Sequence, residues 1–306
     1  MCGGVYGPTS ITAGPDGALW FTAPDANTIG RITTSGAVSL YKLPGHYTFA
    51  TSITAGPDGA LWFSDQASAI SNTSVTGATI GRITTTGAVT LFPVSSCNPE
   101  DITGGPGGAL WFLCTVPDAD PTGDSIDSIT TSGTVTVFSG SGFDHPSSIT
   151  AGPDGALWFT NGGHWTGSAP NLYVTGQSIG QMTTSGVIAT YTDPGIGNPS
   201  AMTTGPDGAM WFLTGGGVGR ITTSGAVTSY PEPAIPGLYS LAAGPDGALW
   251  FTNYGRSIGR ITTSGVLTNT YDDPSVSIPY DIAAGPDGAV WFANYGSDTI
   301  GRIPAP

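Results

Sequence analysis

Residues Gly14–Phe21 read Gly-Pro-Asp-Gly-Ala-Leu-Trp-Phe, and near-copies return six more times, with their prolines at Pro15, Pro57, Pro106, Pro153, Pro206, Pro245 and Pro286. Successive prolines stand 42, 49, 47, 53, 39 and 41 positions apart, a period of about 40 to 50 residues that fits a propeller blade. Each unit divides into an Ile-Thr-Ala-Gly segment, an Ala-Leu-Trp-Phe run, an Ile-Gly-Arg-Ile-Thr-Thr run and a Gly-Ala-Val-Thr-x-Tyr run. In Gly-Pro-Asp-Gly, proline presets φ, aspartate bonds locally and glycine takes positive φ, which is turn chemistry. The expected fold is all-β: one domain over residues 1–306, a seven-bladed β-propeller of four-stranded antiparallel blades, strands A to D. Its AB turns fall at 14–17, 56–59, 105–108, 152–155, 205–208, 244–247 and 285–288.

Composition points the same way. Only 9% of the residues are charged, while 48 Gly and 25 Pro favour short strands and turns over helices. Seven Lys plus Arg against 21 Asp plus Glu give a net charge of −14, which leaves no basic patch for nucleic acid. No apolar run reaches the ~20 residues of a membrane span, and MCGGVYGPTS lacks the regions of a signal peptide; a soluble monomer is expected. Cys97 and Cys114 flank the AB hairpin of blade 3, so a disulfide is expected there, adding about 3 kcal/mol. Two such cysteines and a single lysine in a chain rich in Thr, Ser, Asn and Gly suit an exported bacterial protein. Cys2 is the odd one, and its Cys-Gly-Gly context also fits a trimmed lipoprotein terminus.

One tryptophan per unit, from Trp20 to Trp291, is expected to pack between neighbouring sheets, while Trp165 stands outside the register. The last unit stops after strand C at Thr299–Ile303, and Gly3-Gly4-Val5-Tyr6 resembles strand D, so the N-terminal strand is expected to complete the last blade. Aspartates of the AB turns and arginines of strand C disappear together in blade 3, at Gly107 and Ser128, a hint of pairing that Gln181 beside Asp154 in blade 4 weakens. AB and CD turns barely vary, whereas BC and DA loops vary in length and chemistry. Binding is therefore expected on the BC/DA face, near the central channel.

The units Ile-Thr-Ala-Gly-Pro-Asp-Gly-Ala-Leu-Trp-Phe-Thr and Ile-Gly-Arg-Ile-Thr-Thr-Ser-Gly closely resemble those of the streptogramin B lyases, the virginiamycin B lyase family, along essentially the whole chain. The resemblance implies a seven-bladed propeller and a Mg²⁺-assisted β-elimination that opens a cyclic depsipeptide at its ester. It also implies histidines in Pro-His-x-Ile segments leading into strand A of the last two blades, one preceded by Glu, and a further Glu in the last BC loop. Here those segments read Gly237-Leu238-Tyr239-Ser240-Leu241 and Ile278-Pro279-Tyr280-Asp281-Ile282, and the loop begins Asn294-Tyr295-Gly296. The histidines are replaced by tyrosines, the Glu by Ile278, and no Glu follows Glu232.

Two readings remain. A binding or scaffold protein would present Tyr239, Tyr254, Tyr280 and Tyr295 with Asn253, Asn294 and Asp281 as an aromatic and amide surface for a polar small molecule or glycan. A lyase would either use Tyr239 or Tyr280 beside Arg256, the one arginine outside the repeat positions, in a β-elimination of altered chemistry, or retain a streptogramin lyase-like activity. His145 and His164 fall on the DA and BC loops of blade 4 and with Asp144 suggest a ligand or acid–base cluster; His46 reads as a solvated loop residue. Asp118, Asp120 and Asp124 are spaced like the start of a Ca²⁺ loop, although Ile129 stands where the closing acid belongs. Mg²⁺ and Ca²⁺ are the cofactors these patterns admit.

Overall fold

The structure, a computed structural model, describes residues 5–44, 49–66, 69–71, 74–94, 97–116, 123–166, 173–231 and 237–304. Seven sequence units form seven antiparallel sheets. In the first, strands A to D are Ile11–Ala13, Ala18–Ala23, Thr28–Thr33 and Val38–Lys42, hydrogen-bonded in chain order. Five more blades keep that order, and two of them carry an extra hairpin in the BC connection, Ala69–Ser71 with Ser74–Thr76 in blade 2 and His164–Thr166 with Tyr173–Thr175 in blade 4. The seventh blade has three strands among the described residues, Pro279–Ala284, Ala289–Asn294 and Thr299–Pro304. The expected closing strand falls partly on residues 1–4, outside the described residues. Val5 joins Ala289, Trp291 and Ala293 of blade 7 in one core cluster, and the Gly7 amide donates to Asp298 Oδ1 at 2.8 Å.

The core is divided into inter-blade seams. Trp20 packs with Leu61, Phe63 and Ile83 of blade 2, and the pattern advances blade by blade until Trp291 meets Leu19, Phe21 and Ile32 of blade 1. Within a blade the strand-B tryptophan stacks on the strand-D aromatic, as in Trp20–Tyr41 at 5.5 Å. Strand B is buried on both faces, which explains its uninterrupted apolar run. The glycine of Ile-Gly-Arg lies opposite the strand-B phenylalanine: Gly30 pairs with Phe21, and a Cβ there would collide with the ring. That close approach excludes a side chain at this position in six blades, while blade 3 has Asp127 opposite Phe112.

The Asp–Arg hint becomes a three-membered contact. Asp16 accepts from Trp20 Nε1 at 3.0 Å on one oxygen and from Arg31 Nε at 2.6 Å on the other. The arrangement recurs at Asp58, Asp207, Asp246 and Asp287. In blade 4, Gln181 takes the arginine's place on Asp154 at 2.7 Å. Blade 3 has Gly107 instead, and the Trp111 indole N–H is buried without a partner. Each complete triad contributes about 1–2 kcal/mol after solvent screening.

At the centre, one residue per blade just before strand A's first apolar position forms a belt around the channel. Asp281 Oδ2 accepts from Ser10 Oγ at 3.0 Å and the Ile11 amide at 2.8 Å, both of blade 1. Its Oδ1 accepts from Ser240 Oγ of blade 6 at 2.6 Å and from the Ile282 amide at 2.8 Å. Asp101 plays the same part between Ser52, Ser148 and the Ile149 amide. Ser10, Ser52 and Ser148 in turn accept the amides of Ile53, Ile102 and Met202. Blade 5 has Ala201 at this position.

Candidate functional site

The channel opens between the DA and BC loops into a cavity of about 720 Å³. Seven residues, one immediately before each belt position, stand around its mouth: Thr9, Thr51, Glu100, Ser147, Ser200, Tyr239 and Tyr280. Tyr239 and Tyr280 touch edge to face at 4.5 Å between centroids, and Tyr280 continues to Tyr295 at 4.9 Å. These three rings form a wall across blades 6 and 7. Tyr254 lies outside it, exposed, with its ring 6.4 Å from that of Tyr239. Phe49, half exposed, lines the blade 2 side.

Electrostatics at the mouth disfavours a tyrosine base. Burial, the neighbouring Tyr280 ring and its hydrogen bond, Asp281 and Tyr254 together push the Tyr239 phenol up to about 12. The negative charge of Asp25, helped by a hydrogen bond between the two side chains, raises that of Tyr295. Arg256 is exposed in the turn after strand B of blade 6 and is not part of the channel lining. The lining contains Asp25, Glu100, Asp101 and Asp281 and, among the described residues, no Lys, Arg or His. Glu100 accepts from Thr115 Oγ1 at 2.8 Å; burial raises its carboxyl above the ordinary range, and the nearby Asp124 and Asp101 add to the shift. Burial likewise raises Asp101 and Asp281, against the hydrogen bonds they accept.

Other candidates have different surroundings. Asn253 and Asn294 are buried at the end of strand B. Asn294 accepts the Ser277 amide at 2.7 Å and donates to Ser275 O and Thr299 Oγ1, and Asn253 accepts the Gly255 amide at 2.6 Å. They clamp loops rather than face the channel. His145 and His164 do meet: Asp144 lies between them, 3.2 Å from His145 Nδ1 and 2.9 Å from His164 Nδ1, away from the channel lining. Asp124 is buried, accepting the Val116 and His145 amides, whereas Asp118 and Asp120 lie outside the described residues. Cys97 and Cys114 form a disulfide with Cα atoms 5.3 Å apart.

The side chains around the blade 7 lead-in and the end of its strand B offer few free oxygens for Mg²⁺. Ile278 offers no donor, both Asn294 side-chain atoms are engaged, and the Asp281 oxygens already accept four hydrogen bonds. A hard divalent cation needs several free oxygen ligands. Among the described residues, the one tight cluster of metal-type ligands is Cys97, Cys114 and Asp127, where the two sulfurs are bonded to each other.

Glu100 and Asp101 were not singled out in the sequence. Their signal is an alignment of all seven lead-ins to strand A, which puts Glu100 where blades 6 and 7 have tyrosines and Asp101 where blade 7 has Asp281.

Comparison with known proteins accounts for the whole chain. A profile of the virginiamycin B lyase family matches residues 4–79, 64–167 and 171–305. The virginiamycin B lyase of Staphylococcus aureus superposes with a TM-score of 0.80 at 32% identity, covering 100% of this chain and 97% of its own. The same figures hold for a catalytically inactive histidine-to-alanine variant of that enzyme with quinupristin. A streptogramin B lyase structure gives 0.78 at 30% identity, with 99% and 94% coverage. No curated protein sequence matches. Repeat sequence, seven-bladed ring and full-length superposition agree: this chain belongs to the virginiamycin B lyase family.

Proposed function

We propose that this propeller binds a polar small molecule or glycan at its channel mouth and does not perform the lyase reaction associated with its family. The observation that carries the reading is the Tyr239–Tyr280–Tyr295 wall, which occupies the region where the resemblance calls for histidines. A base must be largely deprotonated near working pH. With its pKa near 12, Tyr239 stays a neutral donor and a stacking surface. Aromatic faces beside Ser and Thr hydroxyls suit sugar rings, which present apolar faces and a rim of hydroxyls.

Glu100 favours a second reading, a lyase of altered chemistry. Its raised pKa and place at the mouth suit a general acid or base, so such an enzyme would work from blade 3 rather than from Tyr and Arg256.

A screen of neutral oligosaccharides followed by calorimetry tests the binding reading. Tyr280→Ala should weaken the best binder about tenfold, the effect of losing roughly 1.5 kcal/mol of ring contact. A binder indifferent to Tyr280→Ala and Tyr239→Ala, or no binder at millimolar concentration, would contradict it.

A further inference from the structure

Charge is distributed unevenly over the two faces. Five of the six arginines, Arg31, Arg82, Arg220, Arg260 and Arg302, are held by aspartates of the AB turns, on the face opposite the mouth. Arg256 and Lys42 are exposed and stand outside the channel lining. The mouth therefore gathers Asp25, Glu100, Asp101 and Asp281 around one open cavity with no cationic side chain among the described lining residues. Carboxyls drawn together in a partly desolvated site repel one another, repel anions and attract cations. Among the described residues no cationic side chain balances them there, although the chain balances aspartates with arginines five times elsewhere.

The aromatic lining suits the same ligand charge. Tyr239 and Tyr280 stand on blades 6 and 7 and Phe49 on blade 2, so rings lie on two sides of the cavity. Ring faces attract ammonium groups through their quadrupole, and the hydroxyls of Thr9, Thr51 and Ser147, each hydrogen-bonded to a strand-B hydroxyl, line the same mouth. Asp101 and Asp281 already accept from several donors in the belt. Glu100 is the carboxylate of the mouth ring itself, with Thr115 as its donor.

We infer that the ligand of this mouth is a cationic, amine-bearing glycan, its ammonium group paired with Glu100 and its rings against the tyrosine wall. This rests on the reading of the mouth as a binding site and excludes uronic-acid ligands.

Calorimetry with three probes tests it: the glucosamine trimer at a pH where its amines are protonated, the N-acetylglucosamine trimer, and the galacturonate trimer. The glucosamine trimer should bind at least tenfold tighter than the N-acetylated one, lose affinity as salt is raised, and leave the galacturonate trimer without measurable binding. Glu100→Gln, close to isosteric, should cut glucosamine-trimer affinity at least fivefold. Equal affinity for the first two trimers would overturn the charge assignment while leaving glycan binding intact. Binding of neither would overturn both. A preference that survives Glu100→Gln would show that the charge is read elsewhere, and the assignment to Glu100 would fail.

Discussion

Asp281→Ala should lower the free energy of unfolding by about 3–5 kcal/mol, measured by denaturant titration. The carboxylate accepts from Ser10 Oγ, the Ile11 amide, Ser240 Oγ and the Ile282 amide, and so ties blades 6, 7 and 1 together where the ring closes. Its removal leaves two amides and two hydroxyls facing a small void, and an unpaired buried donor costs about 1–3 kcal/mol. Burial makes the charged form of Asp281 expensive, and its pKa is raised accordingly. Asp281→Asn, which keeps the shape and some acceptor capacity, should therefore lose less than the alanine variant. Equal losses would mean that the belt contributes by filling space and not by hydrogen bonding.

A second large effect concerns pH. Asp65 and Asp127 sit on strands B and C, fully buried, and burial pushes each from 3.8 up to about 6. Asp65 is partly compensated by the Phe49 amide and Thr79 Oγ1, whereas Asp127 accepts from Ser125 Oγ and leaves Oδ2 without a partner. Between pH 3.8 and 6 the unfolded chain has released protons that the folded state keeps. Stability is therefore fully present below about 4 and falls as pH rises through about 6, by about 3 kcal/mol for each group. The AB-turn carboxyls work in the opposite direction. Burial alone would raise them, but the Trp and Arg partners outweigh it and hold Asp16, Asp58, Asp207, Asp246 and Asp287 below 3.8. Their contribution is present at neutral pH and lost as pH falls through those lowered values. Thermal stability should peak near pH 4, and Asp127→Asn should raise Tm by about 5 °C at pH 8 with little gain at pH 4. A gain of the same size at both pH values would contradict the assignment.

Much of the fold was legible because the blade repeats as a unit. Turn, buried strand and phenylalanine recur seven times, and the glycine facing the phenylalanine recurs in six of the seven blades, Asp127 standing there in blade 3. The site was less legible because its residues differ from blade to blade. Comparing only the lead-ins of blades 6 and 7 found Tyr239 and Tyr280, yet the same position in blade 3 is Glu100, and only the closed ring puts all three at one mouth. Arg256 shows the converse. Its loop belongs to the right face, but sequence position does not fix the direction of a long exposed side chain. Asn253 and Asn294 looked like ligand amides because of their loops; at the end of a buried strand, an amide satisfies the backbone of the adjoining turn. The blade 4 histidines were placed on a common face, and Asp144 supplies the contact between them.

The proposal that this chain keeps the family's fold without its lyase reaction can be tested at the reaction itself. Its most direct test is incubation of the purified protein with a streptogramin B antibiotic and Mg²⁺, separating cyclic from linear forms by chromatography, with a Staphylococcus aureus virginiamycin B lyase as the positive control. The account predicts that the antibiotic stays cyclic over the time in which the control linearises it completely. Mg²⁺-dependent linearisation at a rate comparable with the control would contradict it.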